Sequence, residues 1–270
     1  MPRTCRDSMR GGKVLDMAQT QELLELARSV GKSAATYLMQ RPATFELESK
    51  STAIDIATQM DKGSEELIVS AILKARPDDG IIAEEGSAKE SKSGITWVID
   101  PLDGTVNYLY GLPGWNVSIA AKNDHETLAG VVLAPTINSV WHASKGGGAF
   151  FNGHPIRCND PIELDRALIA TGFAYDVADR ISQVEHMALL VPKIRDMRRN
   201  GAAAVDLCHV AMGALDGFFE AGLKEWDLAA GALIAHEAGA LVTTQEGIHP
   251  AISLAAGPHL HKALRATLAI

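Results

Sequence analysis

Asp100-Pro101-Leu102-Asp103-Gly104-Thr105 is the segment of this chain best equipped for chemistry. Two carboxylates three residues apart, at the end of the apolar run Thr96-Trp97-Val98-Ile99, are unfavourable there unless cations compensate them. Mg²⁺ takes hard oxygen ligands in an octahedron, and one turn offers both carboxylates and the Leu102 carbonyl. Gly104-Thr105 then opens a predicted helix, where free N–H groups and the helix dipole favour a phosphate. Taken alone, the same six residues also read as an Asp-Gly turn with helix-capping side chains.

Two further acidic places change that balance. Glu84-Glu85 ends a second apolar run, Ile81-Ile82-Ala83. Adjacent acids repel and mark a solvated loop, but beside a cation one binds it while the other supports the first. Asp227, in Glu225-Trp226-Asp227-Leu228-Ala229-Ala230-Gly231, opens a small-residue helix, for which N-capping is the plain explanation.

In combination and in this order, Glu84-Glu85, Trp97-Val98-Ile99-Asp100-Pro101-Leu102-Asp103-Gly104-Thr105-Val106-Asn107-Tyr108 and Trp226 to Gly231 resemble the inositol monophosphatase family. Asp55 to Asp61 resembles its upstream acidic segment, and Gly201-Ala202-Ala203-Ala204 its sugar-contacting turn. The resemblance runs from about Met17 to the end. It implies a layered αβαβα sandwich of mixed α+β and α/β character, of the inositol monophosphatase and sugar phosphatase type. It further implies a Mg²⁺-dependent phosphomonoesterase with two or three ions. Glu84, Asp100 and the Leu102 carbonyl would bind the first. Asp100, Asp103 and Asp227 would bind the second, and Glu84 would help hold a third, with Glu85 behind them. The Gly104 and Thr105 amides would grip the phosphate. Thr105, hydrogen-bonded to Asp61, would orient the attacking water. Ala203, Glu220 and Asp227 would face the alcohol. Lithium sensitivity and a homodimer are implied as well. Val106-Asn107-Tyr108 followed by Gly111-Leu112-Pro113 favours inositol monophosphate as substrate over histidinol phosphate or another small phosphate ester. A regulatory, RNA- or transcription-associated role is the alternative from another class.

The sequence departs from the family pattern in three places. Ala83 stands where glycine is common, Ala202 replaces a hydroxyl-bearing residue, and the stretch from Thr244 to Ile248 is short.

The bulk properties fit an ordinary globular enzyme. A formal charge of -8 supplies no overall basic field for nucleic acid, and the basic run Lys193 to Arg199 is read as a solvated surface stretch. Cys5, Cys158 and Cys208 are too few and too scattered for a disulfide framework or structural zinc, and Cys208 is expected to be buried. No zinc site is expected of His142, His209, His236 or His249. No apolar run reaches the ~20 residues that a membrane span needs, and no secretory h-region follows the first residues, so a cytoplasmic protein is expected.

Around the acids, the patterns predict the elements that must position them. Residues 1–16 are expected to be a flexible extension. Residues 17–150 would form an α+β part carrying most ligands, and 151–270 an α/β part supplying Asp227. Helices are predicted at Ala18 to Met39, from Lys62 to Pro77, at Val184 to Ile194, at Ala202 to Ala214 and at Trp226 to Glu237. The run Thr96 to Asp100 is a buried strand that Pro101 should stop. Val117 to Ala121, Ala129 to Ala134 and Val140 to Ala143 predict an antiparallel meander, and Asn152-Gly153 a hairpin. Strands are also expected at Leu168 to Gly172, Gly217 to Glu220, Ala240 to Thr243 and Ile252 to Ala256.

Overall fold

The computed structural model describes residues 17–245 and 250–270. The expected extension 1–16, Cys5, His249 and residues 246–248 of the short connection lie outside them.

Leu23, Leu24, Ala27, Val30, Ala34 and Leu38 recur at helical spacing and form the buried stripe of α1 (Met17–Leu38). A small antiparallel hairpin, β1 (Leu47–Ser49) and β2 (Ile56–Thr58), leads into α2 (Gln59–Ala75). The Thr58 side chain and Asp61 close a capping box at its start.

An eight-stranded sheet follows, built from β3 (Gly80–Ala83), β4 (Ala88–Lys89), β5 (Thr96–Asp103), β6 (Asn116–Lys122), β7 (Thr127–Ala134), β8 (Ser139–Ser144), β9 (Gly148–Phe151) and β10 (His154–Pro155). Its order is β10-β9-β8-β7-β6-β5-β3-β4. The predicted meander is β6 to β8, and the Asn152-Gly153 hairpin joins β9 to β10. Only β3 and β5 pair in parallel. That exception sets the site, because parallel neighbours bring their C-terminal ends together. Ala83 pairs with Ile99, so Glu84 emerges beside Asp100.

Pro101 does not end its strand. β5 runs on to Asp103, with the register to β6 shifting between Asp100 and Asp103. The missing proline donor falls inside that irregularity, where no ladder bond is required of it. Short α3 (Thr105–Tyr110) follows.

The second half supplies β11 (Leu168–Thr171), α4 (Val177–Leu190), β12 (Asp196–Arg198), α5 (Ala203–Ala211), β13 (Gly217–Ala221), α6 (Glu225–Glu237), β14 (Leu241–Gln245), β15 (Ile252–Ala256) and α7 (Pro258–Leu268). Its sheet has the order β12-β11-β13-β15-β14, parallel around β11 and antiparallel around β15. Helix α4 begins seven residues before the predicted Val184, at an Asp176 cap, and ends at Leu190. Its periodicity misleads because Val177, Ile181 and Val184 face outward, while Gln183 and Leu190 are buried. Helix α7 was not foreseen, although Leu260, Leu264 and Leu268 form its buried stripe.

Three apolar clusters define the layers. One lies between α1, α2 and the large sheet. The second joins α5 and α6 to both sheets, and the third packs α7 and α4 on the far face of the smaller sheet. The result is the expected αβαβα stack, with α5 and α6 as its middle layer.

Candidate active site

The ends of β3, β5 and β13 and the starts of α3, α5 and α6 open on one cleft of about 380 Å³. Glu84, Asp100, Leu102, Asp103, Gly104, Thr105, Ala203, Glu220 and Asp227 all line it. Asp61 lies beneath, fully buried, and reaches the wall through Thr105.

Each carboxylate is held by the backbone or a neighbour. Asp100 Oδ1 accepts the Leu102 N–H at 3.0 Å. Asp103 Oδ2 accepts Asn116 Nδ2 at 2.8 Å and the Ala204 N–H at 3.0 Å. That second bond gives the start of α5 a side-chain acceptor that its N-cap residue, Ala202, does not supply. Asp227 Oδ2 accepts the Lys224 N–H at 2.6 Å. Asp61 Oδ2 accepts both the backbone and hydroxyl donors of Thr58, leaving Oδ1 for the Thr105 hydroxyl at 2.8 Å. The same hydroxyl lies 3.1 Å from the Leu102 carbonyl, but its one proton can serve only one of the two acceptors.

Gly104 has φ +86°, and a Cβ there would lie 3.2 Å from the Gly201 carbonyl oxygen. Glycine alone fits both the left-handed backbone and the close approach. The turn thus packs on the start of α5.

The electrostatics are those of crowded acids. Burial, then Glu84, Asp103 and Asp227, pushes the Asp100 carboxyl well above the carboxylate range. Burial raises Asp103 to about 6 and Asp227 to about 8, with their acidic neighbours adding to it. Glu220 is pushed up in the same way. One cation answers this crowding directly: Lys50 Nζ lies 2.8 Å from Glu84 and also binds Glu85. Burial works against its charge, but the two glutamates outweigh that and hold the ammonium above its usual pKa. The paired Glu85 carboxyl still lies high, at about 7, because burial dominates.

Several positioning residues carried no motif. Glu65 accepts the Glu85 and Ser87 N–H groups at 2.8 and 2.9 Å, and Ser64 donates to the Pro101 carbonyl at 2.9 Å. With Asp61, one face of α2 therefore holds the loop after β3, strand β5 and the start of α3. Asn116 and Lys50 were also passed over, and Arg199, read with its basic run as solvated surface, is exposed but lines the cleft. Their partners or their cleft lie far away in sequence, and only the spacing of Asp61, Ser64 and Glu65 along α2 offered a signal.

Among the described residues no three His, Cys, Asp or Glu side chains close into a ready metal cluster. The carboxylates share the cleft, where Glu84, Asp103 and Asp227 accept from Lys50, Asn116 and the Lys224 amide. The sequence does contain one His-x-His, His259-Leu260-His261, but its rings part: His261 Nε2 meets Thr243 Oγ1, and His259 faces Glu163. Cys208 is buried as expected. Among the described residues no helix is long and apolar enough to cross a membrane.

A five-layered stack with an acidic cleft at its strand ends belongs to the phosphatase class that the sequence suggested. The inositol monophosphatase family model matches residues 16–269, and the chain belongs to that family. It is 42% identical over 234 residues to the inositol-1-monophosphatase of Mycobacterium bovis, covering 82% of this chain and 81% of that protein. It is 44% identical over 214 residues to the Nus factor SuhB of Pasteurella multocida, covering 77% and 80%. The crystal structure of extragenic suppressor protein suhB from Bartonella henselae superposes with a TM-score of 0.85 at 32% identity, covering 92% of this chain and 98% of that one.

Proposed function

We propose that the chain is a Mg²⁺-dependent phosphomonoesterase that hydrolyses inositol monophosphate to inositol and phosphate with a metal-activated water. The observation that carries this reading is the meeting of Glu84, Asp100, Asp103 and Asp227, from three distant segments, on one cleft that also presents Gly104-Thr105.

The donor set fits the ion. It is all oxygen, with no imidazole or thiolate lining the cleft among the described residues, as suits a hard cation. Glu84, Asp100 and the Leu102 carbonyl would hold one ion, and Asp100, Asp103 and Asp227 another, with Glu84 shared by a third. Bound there, the ions would lower the pKa of water and offset the charge of the leaving alkoxide.

The protein's own groups do the rest. With Asp61 accepting the Thr105 proton, the Thr105 oxygen keeps its lone pairs for a water hydrogen and aims that water at phosphorus. The Leu102 carbonyl is thereby free to face a cation. The Gly104 and Thr105 amides receive phosphate oxygens. Ala203, Glu220 and Asp227 form the wall against the alcohol.

The test is phosphate release from inositol 1-phosphate, histidinol phosphate and other small esters as Mg²⁺ is varied, with Li⁺ added as an expected inhibitor. An Asp103→Asn variant should remain folded and lose roughly 100-fold or more in kcat. Full activity in that variant would refute the ligand assignment. A homodimer belongs to the same proposal and is checked by sedimentation equilibrium. A regulatory reading draws support from the relative named a Nus factor. Wild-type protein that binds Mg²⁺ but hydrolyses none of these esters would favour it instead.

A further inference from the structure

Asn116 is an unfavourable residue for its position. It opens β6, which is buried from Asn116 to Ala121, and its own side chain is fully buried. Asparagine is among the poorer strand formers, and its amide needs partners once it leaves water. Only half of it finds one. Nδ2 donates to Asp103 Oδ2 at 2.8 Å, whereas Oδ1 has no hydrogen-bond partner among the described residues. Turning the amide over would set its oxygen against the Asp103 carboxylate, so the donor must face the acid and the acceptor is left unpaired.

This one bond falls where the backbone gives Asp103 little support. Asp103 lies opposite Asn116 across the β5–β6 ladder, just past the irregularity between Asp100 and Asp103. Asp100 and Asp227 are steadied by N–H groups close in sequence, at Leu102 and Lys224. Asp103 is steadied from another strand and from a helix, by Asn116 and the Ala204 N–H, and both donors reach the same oxygen. Asn116 stands behind the cleft wall, not on it, so it holds the acid without competing for what the acid binds.

The choice of oxygen has a chemical consequence. With Oδ2 taken by two donors, Asp103 can offer a cation one oxygen, and offering both would mean giving up both bonds. Mg²⁺ demands a near-ideal octahedron, whereas Ca²⁺ takes more oxygens in a looser shell and accepts two from one carboxylate. Resting on the metal assignment of the phosphatase reading, we propose that Asn116 is a positioning residue that confines Asp103 to one-oxygen binding and so favours Mg²⁺ over Ca²⁺. The unpaired Oδ1 is stability forgone for that selectivity.

The experiment is isothermal titration of the metal-free full chain with MgCl₂ and with CaCl₂, in wild type, Asn116→Leu and Asn116→Ala. Asp103→Asn identifies the binding event to which Asp103 contributes. Leucine shares the branching of asparagine but removes both the donor and the unpaired acceptor. In Asn116→Leu the Mg²⁺ dissociation constant should rise roughly tenfold to hundredfold, the range for a lost outer partner of a metal ligand, and that for Ca²⁺ less than about threefold. The metal-free melting temperature should equal or exceed that of wild type, since no buried acceptor is left unpaired. A part in packing alone would lower that temperature and leave the ratio of the two affinities where it was. Should Asn116→Leu not fold, Asn116→Ala reads the same ratio without added bulk. A ratio within about twofold of wild type in the folded variant would overturn the inference and leave the phosphatase reading standing. Wild-type protein that binds Mg²⁺ at these acids but hydrolyses no ester would overturn that reading, while the ratio still decides the part of Asn116. Wild-type protein that binds neither ion would overturn both.

Discussion

Thr105 shows how much one hydroxyl decides. Its oxygen lies within reach of Asp61 and of the Leu102 carbonyl, so the direction of its single proton sets whether it can orient a water. Replacing it with valine removes that oxygen and leaves a buried carboxylate oxygen of Asp61 unpaired. Thr105→Val should lower kcat roughly 100-fold or more, in the range of general-base effects, and Thr105→Ser should stay within about tenfold of wild type. Phosphate-release kinetics decide this, and equal rates in the two variants would remove the hydroxyl from the reaction. The acids themselves were legible in the sequence because carboxylates at the ends of apolar strands are anomalous. Lys50, Asn116 and Arg199 were not, since a polar residue in a polar stretch gives no sign of a partner far along the chain.

Helix α2 is the element on which the geometry depends. Its one face presents Asp61 to Thr105, Ser64 to Pro101 and Glu65 to the loop after Glu84. Glu65→Gln keeps the shape, but its one amide oxygen can accept only one of the two loop N–H groups while its NH₂ opposes the other, a loss of about 1–3 kcal/mol. The expected outcome is a lower melting temperature and a several-fold higher Mg²⁺ concentration for half-maximal activity. Isothermal titration with Mg²⁺ checks the second effect, and an unchanged affinity would leave Glu65 with a merely structural part. At this scale the meander and hairpin were legible, because alternation and turn residues are local signals. The sequence concealed the passage of β5 through Pro101, the outward apolar face of α4 and the short stripe of α7. Those depend on what packs against each element.

For the molecule as a whole, buried histidines set a pH dependence away from the cleft. His142 is buried, stacked on Phe150, with Nδ1 finding no partner among the described residues, and burial lowers its pKa. His209 and His261 are lowered for the same first reason. A histidine whose folded pKa is depressed favours the folded state above the unfolded value of about 6.5. As pH falls below that value, the unfolded chain takes up protons that the folded one refuses, and stability drops. The crowded acids titrate with the opposite sign, so the contribution of one histidine is read by difference. His142→Phe should gain thermal stability relative to wild type as pH is lowered from 8 to 5.5. A difference that does not change with pH would show that His142 titrates normally.

The parallel pairing of β3 with β5, and the middle layer that brings in α6, have a thermodynamic consequence. Glu84, Asp100, Asp103 and Asp227 become neighbours only in the native chain; unfolded, they are separated and bind cations no better than any acidic peptide. A divalent ion is therefore a ligand of the folded state alone, and mass action couples its concentration to unfolding. At about 100 times its dissociation constant, Mg²⁺ should add roughly 2.7 kcal/mol of stability per independent site. The melting temperature should climb with the logarithm of free Mg²⁺, and the climb should shrink in Asp103→Asn. Calorimetry without any substrate would thus count the ions, and a melting point indifferent to Mg²⁺ would mean that the acids do not gather one.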